Sequence, residues 1–240
     1  MKTFIGWFCG SLEILRDGFV TDCERLSSMQ GLPITREWLS CEENLSVSSN
    51  ATCILVIEKE GVYNRLSEDR FFERIPSILV TGKGYPDLAT RALVKTLYSN
   101  LRIPVFGICD CNPFGVGVLH TYQMGSKKIG IDGGDRYGVP IQWLGLWPSH
   151  VEELRKRKEL PKDVYQALTD TDKKRLEKLC DESLARHHKN DNELHELILM
   201  QENGYKIELE ALHWMGMDYM SDWLESVLQD YQFESKLDIR

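Results

Sequence analysis

Three short apolar runs constrain this chain more than anything else in it: "CILVIEKE" (53–60), "SILVTGKG" (77–84) and "VFGICDCN" (105–112). Each holds four or five consecutive apolar or small residues and then stops at a charged or glycine-rich turn. Runs without polar alternation suit strands covered on both faces, the setting of a parallel sheet flanked by helices. Between the second and third lies "DLATRALVKTLYSNL", where Ala89, Leu93 and Leu97 recur at helical spacing and Asp87 is placed to cap after Pro86. Strand, helix, strand is a right-handed parallel crossover. "VPIQWLGL" supplies a fourth strand. The expected fold class is therefore α/β, with a parallel four-stranded sheet containing residues 53–57, 77–81, 105–109 and about 140–144 and helices on both faces.

The flanks differ from this centre. "TFIGWFCGSLEIL", then "RDG" and "FVTDC", reads as an N-terminal β-hairpin around a turn. "SCEENLSVSSNA" (40–51) is polar and serine-rich and reads as a linker. Beyond Trp147 come amphipathic segments capped by Ser, Thr or Asp, among them "PSHVEELRKRKEL", "TDTDKKRLEKLCDESLARHH" and "DNELHELILMQENG". The expected organisation is a β-rich segment and linker over 1–50, an α/β core over 51–150, and a helical extension of the same unit over 151–240.

Composition removes several alternatives. No apolar run approaches the roughly 20 residues that span a bilayer, so no membrane partner is expected. Gly6, Gly10 and Glu13 interrupt the N-terminal apolar stretch, which reads as strand rather than signal peptide. The seven cysteines are scattered without a CxxC pair, against a zinc or disulfide framework and in keeping with a reducing compartment. A formal charge of −8 argues against a uniformly basic nucleic-acid binder, but leaves room for basic patches or for carboxylates neutralised by metal.

The candidate site comes from the strand ends. Parallel neighbours deliver their carboxyl ends to one edge, where α/β proteins gather ligands. Glu58, Lys83 and Asp110 all fall there, with Asn112 two residues beyond Asp110. A glutamate with an Asp-x-Asn pair is a set of hard oxygen donors that suits Mg²⁺, which takes one or two carboxylates and completes its shell with water or phosphate. Lys83 between two glycines suits an anion approaching the backbone, and the helix near Asp87 adds its positive end. Each signal alone also has a plain reading, as a solvated charge or an ordinary turn.

Other residues carry two readings each. Arg91 and Lys95 could face a DNA backbone or form a solvated helix face, with Asp87 able to pair with Arg91. "GSKKIGIDGGDRYG" (125–138), with Lys127, Lys128 and Arg136, is a phosphate-touching loop or a plain surface loop. "RKRK" (155–158) has the look of a nucleic-acid patch or localisation signal, but next to Glu152, Glu153 and Glu159 it reads rather as a solvated helix end. His187 and His188 lack the second cysteine pair that zinc would need. Trp143, Trp147, Trp214 and Trp223 read as core, and Glu208 has no assignable role.

"VIEKEGVYNRL", "ILVTGKGYPDLATR" and "DCNPFGVGVL" resemble the Toprim domain of the topoisomerase VI A-subunit family, especially its eukaryotic branch of meiotic transesterases. The likeness continues through "YGVPIQWLGLWPSHVEELR", "LTDTDKKRLEKL" and "KIELEAL". It implies a Rossmann-like Toprim sheet in which Glu58, Asp110 and position 112 hold Mg²⁺, with Mn²⁺ as a substitute. It implies DNA phosphates anchored there and near Lys83, Gly84 and Arg91. It also implies double-stranded DNA as partner, a homodimer through the Toprim region, a topoisomerase VI B-like partner protein, and a nuclear location. In this chemistry a tyrosine attacks the phosphodiester and becomes linked to the 5′ end.

Two departures shape the expectation. The family carries that tyrosine in an N-terminal winged-helix domain, which this sequence is expected to lack; none of the nine tyrosines matches its context, so no catalytic tyrosine is assigned. Asn112 stands where many members carry a second aspartate and brings an amide oxygen without charge; Glu60 is the residue that could compensate. The leading expectation is a magnesium-binding, DNA-binding half-site of a double-strand-break enzyme, inactive alone. A non-catalytic dimerisation and DNA-binding module is the first alternative, and a Toprim metal-dependent nuclease the second.

Overall fold

The computed structural model describes residues 6–26, 31–39, 45–124, 137–185 and 191–237. The strands, in chain order, are β1 (Trp7–Gly10), β2 (Glu13–Arg16), β3 (Phe19–Asp22), β4 (Leu32–Pro33), β5 (Leu45–Ser48), β6 (Cys53–Ile57), β7 (Ser77–Thr81), β8 (Val105–Ile108), β9 (Ile141–Gly145), β10 (Gln166–Ala167) and β11 (Tyr205–Lys206). Every residue of β6, β7 and β8 is buried, as uninterrupted apolar runs require of strands covered on both faces.

These strands form one sheet in the order β4-β1-β7-β6-β8-β9. The four consecutive strands β7, β6, β8 and β9 are parallel, as expected. The fold is a Toprim-type α/β sheet. From β6 the chain steps to β7 on one side, then returns past β6 to β8 and continues to β9. Right-handed crossovers therefore place the helix Glu60–Glu68 on one face and the helices Leu88–Leu101 and Pro113–Met124 on the other. The reversal of direction between β6 and β8 opens a crevice at their carboxyl ends.

Close packing fixes the second of those faces. A Cβ on Gly107 of β8 would stand 2.4 Å from Leu119 Cδ2, so the bare glycine lets the helix Pro113–Met124 lie directly on the sheet. Asp87 caps the preceding helix, its Oδ1 accepting the Thr90 N–H at 2.8 Å, and Arg102 ends that helix in a left-handed conformation.

The N-terminal segment differs from a simple appended hairpin. β2 and β3 do form the hairpin, with Asp17 and Gly18 both at positive φ, the geometry that matches strand twist in a two-residue turn. β1, however, pairs antiparallel with β7 and extends the central sheet to six strands with β4. Within the expected linker, Leu45–Ser48 is a strand paired with β2. Its residues alternate between half-buried and exposed, a period-2 pattern hidden by the serines. Trp214, expected in the core, is 66% exposed, while Trp143 is buried. "GSKKIGIDGGDR" (125–136), His187 and His188 lie outside the described residues.

The helical extension folds back onto the core. Helix Asp170–Ala185 packs on Pro113–Met124 and on Asp191–Asn203. Asp172, 1% exposed, accepts the backbone and hydroxyl hydrogens of Thr169 and an ion pair from Lys206 at 2.7 Å. Lys206 ends β11, and the next residue, Ile207, donates its N–H to the Cys111 carbonyl at 3.2 Å. Residues 207–210 are thereby delivered to the end of β8.

The Asp87 cap gives a simple stability test. Asp87→Ala should cost about 1 kcal/mol, read in urea as a lower midpoint with an unchanged denaturant slope. An unaltered midpoint would mean that packing alone sets where this helix starts.

Candidate metal centre

Glu58 and Asp110 meet because β6 and β8 are parallel neighbours in register, Ile57 beside Ile108. The Glu58 N–H donates to the Ile108 carbonyl at 3.0 Å, extending the ladder by one step past the strand. The Glu58 side chain then turns across the crevice, and its Oε2 accepts the Asp110 N–H at 2.9 Å. Gly115 makes this approach possible. A Cβ there would lie 2.8 Å from Glu58 Oε2 and 2.7 Å from the Asp110 carbonyl oxygen.

Asp110 is 3% exposed and held at both oxygens. Oδ1 accepts the Leu209 N–H at 2.9 Å, and Oδ2 lies 3.3 Å from the Lys59 ammonium. Lys59 is equally close, at 3.3 Å, to Glu208 Oε2 and to Glu210 Oε2. One lysine thus sits among three carboxylates at the end of the sheet, with Glu58 on its flank. Sequence reasoning had no role for Lys59 or Glu210 and none it could assign to Glu208. The legible signal was the spacing of two glutamates around Leu209 in "KIELEAL"; nothing local shows that this loop returns to β8.

Asn112 stands at the start of the next helix. Its Oδ1 accepts the backbone N–H groups of Phe114 and Gly115 at 2.9 and 2.8 Å, so it caps the helix Pro113–Met124. Its amide nitrogen lies 3.5 Å from Asp110 Oδ2. The amide oxygen is committed to the helix, which makes Asn112 a support for Asp110.

Lys83 stands at the end of β7 with φ of 54°, its ammonium 2.6 Å from Glu60 Oε1 and 5.4 Å from the Trp7 ring centroid. Glu60 is thus ion-paired with Lys83. Gly84, at φ 96°, donates its N–H to the Glu58 carbonyl at 2.8 Å, tying the glycine turn to the carboxylate strand. Arg91, read as a DNA contact or a solvated residue, is 1% exposed. Its helix packs against the segment Arg36–Leu39 and β5; the guanidinium lies near Tyr122 and Tyr137, and burial lowers its pKa. Lys95 donates to the Gly138 carbonyl at 3.0 Å. Arg155, of "RKRK", lies over the Tyr205 ring.

Burial governs the electrostatics. It pushes the Glu58 carboxyl up to about 7, helped by the neighbouring Asp110 charge and opposed by the Asp110 N–H. Burial raises Asp110 too, against the stabilising Leu209 N–H and Lys59. For Lys59, burial works against the charge, but Asp110 and Glu210 outweigh it and hold the ammonium above its ordinary range.

The residues present fit a hard divalent cation. All the converging donors are oxygens, and the cluster already draws one cation, the Lys59 ammonium, to within 3.3 Å of three of them. Among the described residues, no group of three or more His, Cys, Asp or Glu side chains is placed to hold a metal ion. Magnesium needs only one or two carboxylates when phosphate and water fill the rest. A cavity of about 330 Å³ lined by Phe106, Trp143, Trp147 and Tyr231 among others shares no residue with this centre.

The sequence profile of the Toprim domain shared by the topoisomerase 6 A-subunit and Spo11 matches residues 53–226. The chain belongs to that family. Among curated relatives in the topoisomerase 6 A-subunit/Spo11 family, it is similar to the A3 subunit of DNA topoisomerase 6 from Oryza sativa subsp. indica. The identity is 32% over 218 residues, 90% of this chain and 47% of the relative. Meiotic recombination protein SPO11-2 of Oryza sativa subsp. japonica is 36% identical over 206 residues, 85% of this chain and 50% of the relative. Meiotic recombination protein SPO11 of Mus musculus is 30% identical over 223 residues, 92% and 54% respectively. The chain spans about half the length of the curated relatives it matches.

The Glu58 environment sets a pH dependence. Folded protein keeps the Glu58 proton up to about pH 7, whereas the ordinary value is 4.5, so between these the folded state binds more protons than the unfolded one. Stability of the metal-free protein must then fall as pH rises through that window. In urea titrations with chelator, wild type should lose on the order of 2 kcal/mol between about pH 5 and about pH 8, and Glu58→Gln less than half as much. Equal losses would place the titrating group elsewhere.

Proposed function

We propose that this chain is the magnesium-binding, DNA-binding half of an enzyme that makes meiotic DNA double-strand breaks by tyrosine transesterification. The observation that supports it most is the pair of half-buried Glu58 and buried Asp110, side by side at the reversal point of the sheet in a Toprim domain of the topoisomerase 6 A-subunit/Spo11 family. The SPO11 relatives, named as meiotic recombination proteins, support the meiotic role and with it a nuclear location.

Bound Mg²⁺, or Mn²⁺ in its place, would neutralise and orient the oxygens of the scissile or a neighbouring phosphate. Glu58 and Asp110 are the residues that would hold it. Their orientations are set in advance, Glu58 by the Asp110 N–H and Asp110 by the Leu209 N–H, so no rearrangement of these two carboxylates is needed at the moment of reaction. Asn112 keeps the helix start against Asp110. Lys83 and the positive-φ Gly84 offer a charge and an open backbone to a phosphate, since a Cβ on Gly84 would meet nothing within 4 Å. The attacking tyrosine comes from a winged-helix segment or another protomer, and the Toprim region serves as a homodimer interface beside a B-type partner protein.

The metal centre is tested by calorimetry or Mn²⁺ relaxation on wild type, Glu58→Ala and Asp110→Ala. Wild type should bind in the micromolar to millimolar range and each variant at least about tenfold more weakly. Equal binding by all three places the ligands elsewhere.

The reaction class is tested by incubating the chain with supercoiled plasmid and Mg²⁺. DNA binding should be salt-sensitive and metal-dependent, without covalent 5′ adducts. Adducts on one of its own tyrosines would refute the half-site reading. Free hydroxyl-ended nicks abolished by Glu58→Ala would identify a nuclease.

A further inference from the structure

Lys59 is the least expected member of the site. It follows Glu58 directly, at the start of helix Glu60–Glu68, and reaches back over the strand end. Its ammonium is 3.3 Å from one oxygen of each of Asp110, Glu208 and Glu210, contributed by β8 and by the returning loop. No other lysine or arginine among the described residues is paired with any of those three carboxylates. With Glu58 beside them, four acidic side chains share a small volume, and one internal cation offsets their repulsion.

A divalent ion held by Glu58 and Asp110 would meet that ammonium. Asp110 Oδ1 accepts the Leu209 N–H, and a metal that approaches Oδ2 comes upon the Lys59 ammonium 3.3 Å away. Two cations cannot share one carboxylate oxygen at contact distance without strong mutual repulsion. The Lys59 side chain is 28% exposed and carries its ammonium on a flexible four-carbon stem, so it can leave the cluster toward solvent without disturbing the sheet.

We propose that Lys59 is an internal counter-ion that occupies the cation position of the metal-free site and is displaced when the divalent ion binds. This inference rests on the metal-binding reading above and adds a residue that works against metal affinity. It is a positioning residue: it keeps Asp110, Glu208 and Glu210 gathered before the metal arrives. Once displaced, its ammonium is free at the edge of the crevice where a DNA phosphate would lie. Loading of metal and capture of phosphate are then coupled, each favouring the other.

The test compares Mn²⁺ affinity, by calorimetry, in wild type, Lys59→Met and Lys59→Arg. Lys59→Met should bind about tenfold more tightly than wild type, because no ammonium has to be expelled. Lys59→Arg, which keeps the charge, should bind no more tightly than wild type; a purely structural lysine would not separate the two variants in this way. An independent measurement needs no variant: amine-reactive labelling of Lys59 in the wild-type chain, followed by mass spectrometry, should rise severalfold when saturating Mg²⁺ replaces chelator. That measurement decides the matter if Lys59→Met does not fold. Tight metal binding in wild type with unchanged or weaker binding in Lys59→Met, or labelling indifferent to Mg²⁺, overturns the counter-ion role and leaves the metal centre standing. No metal binding in wild type or Lys59→Met overturns both.

Discussion

Two carboxylates taken out of water side by side are the constraint around which this structure is arranged. Glu58 and Asp110 repel each other, and both lose hydration in the crevice between β6 and β8. Such a pair is tolerated only where hydrogen bonds and opposite charge replace the lost water. Here the replacements are specific: the Asp110 N–H for Glu58, the Leu209 N–H for one Asp110 oxygen, and the Lys59 ammonium for the other. Each depends on a different part of the fold.

The Leu209 N–H shows how far that dependence reaches. It belongs to a segment 99 positions downstream of Asp110, in the part of the chain that reads as a helical extension of the same unit. That segment is held by a small antiparallel pair, β10 with β11, and by the buried ion pair of Lys206 with Asp172. Asp172 is itself oriented by Thr169, whose backbone and hydroxyl hydrogens it accepts. The helical extension is therefore part of the site, because it supplies the loop that completes the surroundings of Asp110 and brings Glu208 and Glu210 to Lys59.

The same arrangement reconciles a net charge of −8 with the proposed binding of DNA. Overall charge controls long-range repulsion, while affinity for a phosphate is decided within a Debye length of the contact. At the crevice the acidic residues are gathered around cations, and Lys83 stands at the adjacent strand end. A divalent ion would invert the local sign at the crevice, where the proposed function brings the backbone of DNA.

Burial on both faces is a property a strand declares locally, and for that reason the sequence by itself determined the centre of this protein. The uninterrupted apolar runs of β6, β7 and β8 admit no amphipathic alternative, and the charged turns after them mark Glu58, Lys83 and Asp110 as neighbours on one edge. The Asp87 cap was equally legible, because a cap is a contact between residues three apart. Only the tertiary structure decided the rest. β1 joins β7, and Leu45–Ser48 pairs with β2, because strand partners are chosen by hydrogen-bonding groups every residue carries. Arg91 is buried near Tyr122 and Tyr137, and Trp214, within the short helical segment Leu209–Met215, is exposed. Lys59, Glu208 and Glu210 converge on Asp110 through contacts between residues far apart in the chain. Backbone pairing and ion pairing act through space without leaving a periodic trace in the sequence, whereas burial and capping do leave one.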